Sequence, residues 1–218
     1  MRYNKISILL FVLLVVSTLI ACSKQESSNK KPAEKVTTSP TPATNKEPEA
    51  TLTPTPLVTI LDQVNKLPKI EVTSDQLRED GKWRSIITYT KYGENMSPQL
   101  SWDTFDGASY YAIYMFDPTA QNWLHWMVKD LTKTNLKLGE KLKNSDYVGP
   151  YPPSGTHTYV ISVYALKDKP DSYGGTTDAA NRKVDRIISG LDISGGKPGN
   201  IIAKGEISGT YTYGEKVK

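Results

Sequence analysis

The chain of 218 residues has one cysteine, Cys22, and two histidines, His125 and His157. A single thiol excludes any disulfide within the chain, and its position near the N-terminus excludes a cysteine-based metal site or a thiol nucleophile in the folded part. Stability therefore has to come from a hydrophobic core. With two histidines and no cysteine in the domain, a zinc site would need carboxylates to complete it. No metal ligand set and no cofactor is expected. Charge of one sign is also scarce. The formal net charge is +4, and it falls to +2 without residues 1–21, which contribute Arg2 and Lys5 and no acid. That balance excludes a nucleic-acid partner held by a basic face.

Several chemical signatures are missing. Gly190 and Gly195-Gly-Lys197 do not form a phosphate loop, because the spacing to the Gly-Lys pair is wrong and Pro198 stands where Ser or Thr is required. The chain has no G-x-S-x-G elbow, no H-E-x-x-H and no EF-hand loop. No activated nucleophile is evident, which argues against an enzyme.

Long apolar runs are confined to Ile6–Ile20, preceded by Arg2 and Lys5 and followed by Ala21-Cys22. A basic start, an apolar stretch shorter than the ~20 residues of a spanning helix, and a small residue before cysteine resemble a bacterial lipoprotein signal. Residues 1–21 are expected to be the signal peptide. Cys22 is expected to carry the lipid, placing the chain on the extracytoplasmic face of a cell membrane. From Ser23 to Pro56 the composition is Ser, Thr, Pro, Lys, Glu and Ala. Such a stretch buries too little apolar surface to offset its ordering entropy, so residues 22–56 read as a tether.

The folded domain is expected from 57 to 218. Leu57–Leu67 has helical apolar spacing and stops at Pro68. Strands are expected at Pro68–Thr73, Trp83–Thr90, Gln99–Trp102, Tyr111–Asp117, Trp123–Val128 and His157–Ala165. Asn200–Ile207 and Thr210–Tyr213 read as closing strands. Period two places Trp123, His125 and Met127 on one face and Leu124, Trp126 and Val128 on the other. Large apolar groups on both faces predict burial on both sides. Thr177-Asp178 is placed to cap a helix running to Ser189. The loop Val148–Gly155 has three prolines and two glycines, and an X-Pro bond there is a candidate for the cis form. Many strands and few helices predict a mainly antiparallel β-sandwich with short peripheral helices.

Within this pattern Asp117 and His125 stand at the mouths of apolar strands, and His157 opens another. A carboxylate and imidazoles in such positions are costly unless paired or used. They point to a small anion-accepting pocket.

Four blocks then carry a resemblance. They are Gly93-Glu-Asn-Met-Ser-Pro-Gln-Leu-Ser-Trp102, Phe116-Asp-Pro through His125-Trp126, Gly149-Pro-Tyr-Pro-Pro-Ser-Gly-Thr-His-Thr-Tyr159, and Ile201-Ile-Ala-Lys-Gly-Glu-Ile-Ser-Gly-Thr-Tyr211. Together they resemble the phosphatidylethanolamine-binding protein family, whose bacterial branch is called Raf kinase inhibitor-like. The resemblance implies a pocket for phosphate-like anions, built here by Asp117, Trp123, His125, Gly149, His157 and Tyr159. It implies a binding or regulatory protein whose partners are a small anionic or phosphorylated group and a protein target, a secreted peptidase being compatible with the location. A hydrolase or phosphoryl-transfer enzyme using the histidines is the alternative.

The family pattern breaks at several positions. Thr119 replaces an aspartate, Gln121 replaces a proline, Thr158 replaces an arginine, and the loop from Asp117 to His125 is short. If the missing carboxylate and guanidinium were partners, positions 119 and 158 must be neighbours.

Overall fold

The computed structural model describes residues 58–218. The expected lipoprotein signal, Cys22 and the expected tether lie outside the described residues. Among those that are described, no helix is long and apolar enough to cross a membrane.

The first element is the short helix α1, Ile60–Val64. It begins where Thr59 accepts from the Asp62 amide while the Asp62 carboxylate accepts from the Thr59 amide, a reciprocal cap. Its apolar side packs Val64 against helix α2, Val184–Leu191, whose Ile187, Ile188 and Leu191 are buried. The helix expected from Thr177-Asp178 starts later than the capping pattern implied. Asp178 lies at φ 59°, and the next two residues form the strand β8, Ala179–Ala180, on the edge of β4 (Trp123–Leu131).

One sheet organises the domain. Its order is β1 (Lys69–Ile70), β9 (Ile201–Thr212), β7 (Thr156–Leu166), β3 (Tyr110–Asp117), β4 and β6 (Ser145–Tyr147). All pairs are antiparallel except β1 with β9. A two-stranded ladder, β2 (Leu100–Ser101) with β5 (Asn135–Leu136), lies apart from that sheet and contributes Leu100 and Leu136 to one core. The fold is mainly β with few short helices, as expected, with a mixed main sheet. β3 is buried from Tyr111 to Asp117 because the sheet is covered on both faces, which is why it reads as a continuous apolar run. One face packs Trp83, Ile87, Trp126, Tyr159 and Ile161; the other packs Tyr114, Leu124, Met127 and Tyr164 beneath the helices.

Three expectations need correction. Trp83–Thr90 is not a strand. Trp83 and Ile87 are fully buried, but they plug the core singly around a single 3-10 turn, Ser85–Ile87. The segment's amides donate to carbonyls of several separate segments instead of one neighbouring strand: Trp83 to Thr210, Arg84 to Gln76, Ser85 to Val217 and Tyr89 to Pro150, while Trp83 Nε1 donates to the Tyr159 carbonyl at 3.2 Å. The two closing strands are one, β9, running through Gly209. A side chain at Gly209 would meet Trp83 Nε1 at 2.9 Å, so the glycine is a close-approach position within a strand. Finally, no described peptide bond is cis, those of Val148–Gly155 included.

The strict alternation expected over Trp123–Val128 also fails at one point. Met115 pairs with Trp126 and Phe116 with Leu124, so His125 is an extra residue, a bulge. The bulge places His125 and Trp126 toward the same face and sends Leu124 and Met127 to the other. Both faces of the strand are buried, as its composition predicted.

Candidate functional site

The register of the sheet brings the sequence-predicted residues to one end. Asp117 closes β3 and pairs with Trp123, which opens β4. Phe116 pairs with Val160, so the start of β7 lies beside the end of β3. Asp117, Trp123, His125, His157 and Tyr159 line one cavity of about 150 Å³. Ala120, Tyr151, Pro152 and Pro153 complete its walls. Gly149 does not line it. Its amide donates to Asn95 Oδ1 at 2.7 Å, and a Cβ there would stand 2.0 Å from the Ile87 carbonyl oxygen. The residue sets the path of the loop instead of offering a donor to a ligand.

Asp117 is 2 % exposed and holds two groups. Its Oδ1 accepts from the Ala120 amide at 3.0 Å, capping the 3-10 turn Pro118–Ala120. Its Oδ2 accepts from His157 Nδ1 at 2.6 Å. The turn is followed by Gln121 and Asn122, both at φ 56°. These two left-handed residues close the short loop and return the chain into β4 at Trp123.

His125 is held differently. Its Nδ1 donates to the Val148 carbonyl at 2.8 Å. The ring lies edge-on to Tyr159, centroids 5.2 Å apart, and to Tyr151 at 5.6 Å. Burial pushes its pKa below the ordinary histidine value, against the opposing pull of the Val148 carbonyl and the Asp117 charge. With Nδ1–H committed on both imidazoles, each Nε2 is an acceptor in the neutral ring. Neither Nε2 has a hydrogen-bond partner among the described residues.

Tyr159 is fully buried, and its hydroxyl has no partner among the described residues. Burial first, and the Asp117 charge second, raise its pKa, so the phenol stays protonated and remains a donor. A buried hydroxyl left unpaired is costly, and a ligand oxygen in the cavity would relieve that cost. No lysine or arginine among the described residues lines the cavity.

The mouth is organised by residues that sequence reasoning missed. Asp178 Oδ1 accepts from Trp123 Nε1 at 3.2 Å and also from the Tyr151 hydroxyl, tying both aromatic walls to one carboxylate. Burial, with that hydrogen bond, pushes the Tyr151 phenol up to about 12. The sequence signal at Asp178 was ambiguous, since aspartate suits a helix cap and a left-handed turn equally. Tyr151 lay inside the Gly-Pro loop singled out as part of the site but had no individual mark. Positions 119 and 158 are neighbours: the Thr158 amide donates to Thr119 Oγ1 at 3.0 Å. The two departures from the family pattern thus sit in contact.

Comparisons with known proteins agree with this fold. The profile of the family described as Phosphatidylethanolamine-binding protein matches residues 73–212. A putative odorant-binding protein A5 of Drosophila melanogaster is 36% identical over 103 residues, covering 43% of this chain and 45% of that protein. The chain thus spans less than half of that relative. A UPF0098 protein of Methanothermobacter thermautotrophicus is 28% identical over 146 residues, covering 58% of this chain and 89% of the other. Among solved structures, a putative phosphatidylethanolamine-binding protein homologue, CT736 of Chlamydia trachomatis, superposes with a TM-score of 0.53 at 25% identity. It is matched over 97% of its length and 66% of this chain. E. coli YbcL, a member of the mammalian PEBP family, matches in fold with a TM-score of 0.50 over 99% of its length and 69% of this chain, at 24% identity. The chain belongs to the phosphatidylethanolamine-binding protein family.

Proposed function

We propose that this chain is a binding protein whose cavity takes a small oxyanion, such as a phosphate or phosphomonoester group, together with a proton. The gathering of His125, His157 and Tyr159, the last with an unpartnered hydroxyl, around a cavity of about 150 Å³ carries the reading. The neutral site offers an anion only one side-chain donor of this set, Tyr159. The imidazoles become donors toward the cavity only when Nε2 is protonated. The ligand either brings that proton, as a monobasic phosphate does, or draws it from water on binding. An anion then supplies a counter-charge beside His125, since the Asp117 carboxylate is bonded to His157 instead.

Binding is favoured over catalysis because the described residues lining the cavity include no serine, threonine or cysteine nucleophile. The Asp117–His157 pair resembles half of an acid–base constellation, and it is the one observation that favours the hydrolase reading. In the binding reading Cys22 carries the lipid, the domain works outside the cytoplasm, and the occupied cavity forms part of a surface that regulates another protein, for example a secreted peptidase.

The test is a titration of the domain with inorganic phosphate and with phosphoethanolamine at pH 5.5 and pH 8, followed by melting temperature. A ligand at 100 times its Kd adds about 2.7 kcal/mol. The expected result is a larger shift at the lower pH. Equal shifts at both, or none, would count against the proton-coupled site. Tyr159→Phe should weaken phosphate about tenfold. Turnover of phosphate or carboxyl esters, lost in His157→Ala, would favour the enzyme.

A further inference from the structure

We propose that the outer edge of β6 is a docking site for an extended, lysine- or arginine-bearing peptide segment, which adds a strand to the sheet. This surface meets the cavity mouth only at Asp178, and the proposal does not depend on the cavity's contents. β6 is the last strand on its side of the main sheet. Its backbone shows which groups are free. Lys129 N donates to the Asn144 carbonyl at 3.0 Å and Val148 N donates to the His125 carbonyl at 2.8 Å, while Met127 faces Asp146. In an antiparallel ladder alternate residues face the neighbouring strand. Asn144, Asp146 and Val148 therefore turn their backbone groups to β4, and Ser145 and Tyr147 turn theirs outward. Neither residue's outward amide or carbonyl has a partner among the described residues. An edge of this kind is a template for strand addition.

The edge does not face a flat surface. It forms one side of a groove of about 550 Å³, walled opposite by the Glu94–Ser97 and Gly139–Leu142 segments. The charged lining is Glu94, Glu140, Asp146 and Asp178 against Lys141. Glu140 is neutralised by Lys133, whereas Glu94, Asp146 and Asp178 pair with no lysine or arginine among the described residues. The groove thus has negative charge without a fixed counter-ion, and a basic segment supplies one. Thr177 adds a buried hydroxyl oxygen without a partner on the same wall, a further polar contact for a peptide group. Charge complementarity decides the occupant. An acidic strand would meet three carboxylates, and an apolar one would leave them facing a desolvated slot. β6 is three residues long, so the backbone pairing is short and the charged contacts carry much of the discrimination.

The experiment uses the full chain and a fluorescein-labelled peptide Lys-Val-Lys-Val-Lys, read by anisotropy at low and moderate salt, with amide exchange measured at Ser145 and Tyr147. The expected result is saturable binding that weakens with salt, together with slowed exchange at both amides. Asp146→Lys, at an exposed position, should weaken the peptide at least tenfold. A peptide N-methylated at alternate residues should weaken by a similar factor, since it keeps the charges and loses the strand hydrogen bonds. The proposal is overturned by any of three outcomes: no saturable binding at millimolar peptide, equal binding of Glu-Val-Glu-Val-Glu or of the N-methylated peptide, or unchanged exchange at Ser145 and Tyr147.

Discussion

The cavity has two arms, and they hold their imidazoles by opposite means. On the β4 arm His125 is 3 % exposed, and its Nδ1 is fixed by a neutral backbone carbonyl. On the β7 arm His157 has a side chain 14% exposed, and its Nδ1 is fixed by the Asp117 carboxylate. Both arrangements select the same tautomer. They differ in the consequence of protonation: on the β7 arm a charge stands ready beside the ring, and on the β4 arm none touches it. A dipole and a charge thus orient the ring equally well, and the two arms can be broken separately.

The largest effect expected comes from breaking the β4 arm alone. Gly149→Ala places a Cβ 2.0 Å from the Ile87 carbonyl oxygen, backbone against side chain, with no flexible group to yield. The loop must move, and with it the neighbouring Val148 carbonyl that holds His125. Destabilisation of at least about 3 kcal/mol is expected from overpacking at such a site, read by denaturant unfolding. The ring resonances of His125 should shift while those of His157 stay. Equal disturbance of both rings would mean that the arms are not separable.

Asp117→Asn sharpens the comparison on the other arm. The Ala120 amide needs an acceptor, so the Asn oxygen is expected to take Oδ1's place. The amide nitrogen then meets His157 Nδ1, and the ring must carry its proton on Nε2 instead. The neutral His157 would become a donor toward the cavity. Phosphate binding should weaken at pH 5.5, where the lost charge matters, and lose much of its pH dependence. Nitrogen chemical shifts of the ring would report the tautomer directly. An unchanged Nδ1–H would show that the carboxylate is not what sets it.

The buried His125 carries a stability signature. Its pKa is depressed in the folded state, so between that value and the unfolded value of about 6.5 the unfolded chain binds more protons than the folded one. Stability from this group rises with pH through that window and is complete above it. It is lost as pH falls below about 6.5, by up to roughly 1.4 kcal/mol for each pH unit of depression. In His125→Gln the acid-side loss of stability should be smaller than in the parent chain. Saturating phosphate should reduce it too, by pairing the imidazolium.

The two arms also differ in how far the sequence revealed them. The β7 arm was legible because His157, Tyr159, Ile161 and Val163 alternate without interruption along a strand buried to its end. Its partner strand β3 announced itself as a continuous apolar run ending in Asp117. The β4 arm was legible in composition and not in geometry. A bulge at His125 breaks the alternation, and nothing in Trp123-Leu-His-Trp-Met-Val128 marks where an extra residue enters. The sequence offered Asp117 as a partner for one imidazole without indicating which, since that depends on a register set by long-range pairing. The local preferences of Asp178 fit a helix cap. Its actual position is dictated by pairing of the next two residues with β4. Trp83–Thr90 alternates like a strand, yet its amides bond to several separate segments instead of one ladder partner. In each case a tertiary contact overrode a local pattern that was sound by itself.

The smallest effect expected tests the contact between the β7 arm and the short turn after β3. The Thr158 amide donates to Thr119 Oγ1 across the gap between the β7 arm and the short turn after β3. Restoring the family's residues as Thr119→Asp with Thr158→Arg places a carboxylate and a guanidinium at neighbouring positions. The contact is solvent-exposed, so a coupling of about 0.2–1 kcal/mol is expected in a double-mutant cycle, diminishing with salt. Thr158→Arg alone adds a cation beside the cavity and should tighten phosphate severalfold at pH 8. Adding Thr119→Asp should reverse most of that gain by engaging the new guanidinium. If both variants bind phosphate like the parent chain, this edge lies outside the electrostatic reach of the cavity, and the loss of the charged pair changed the rim without changing what the cavity can hold.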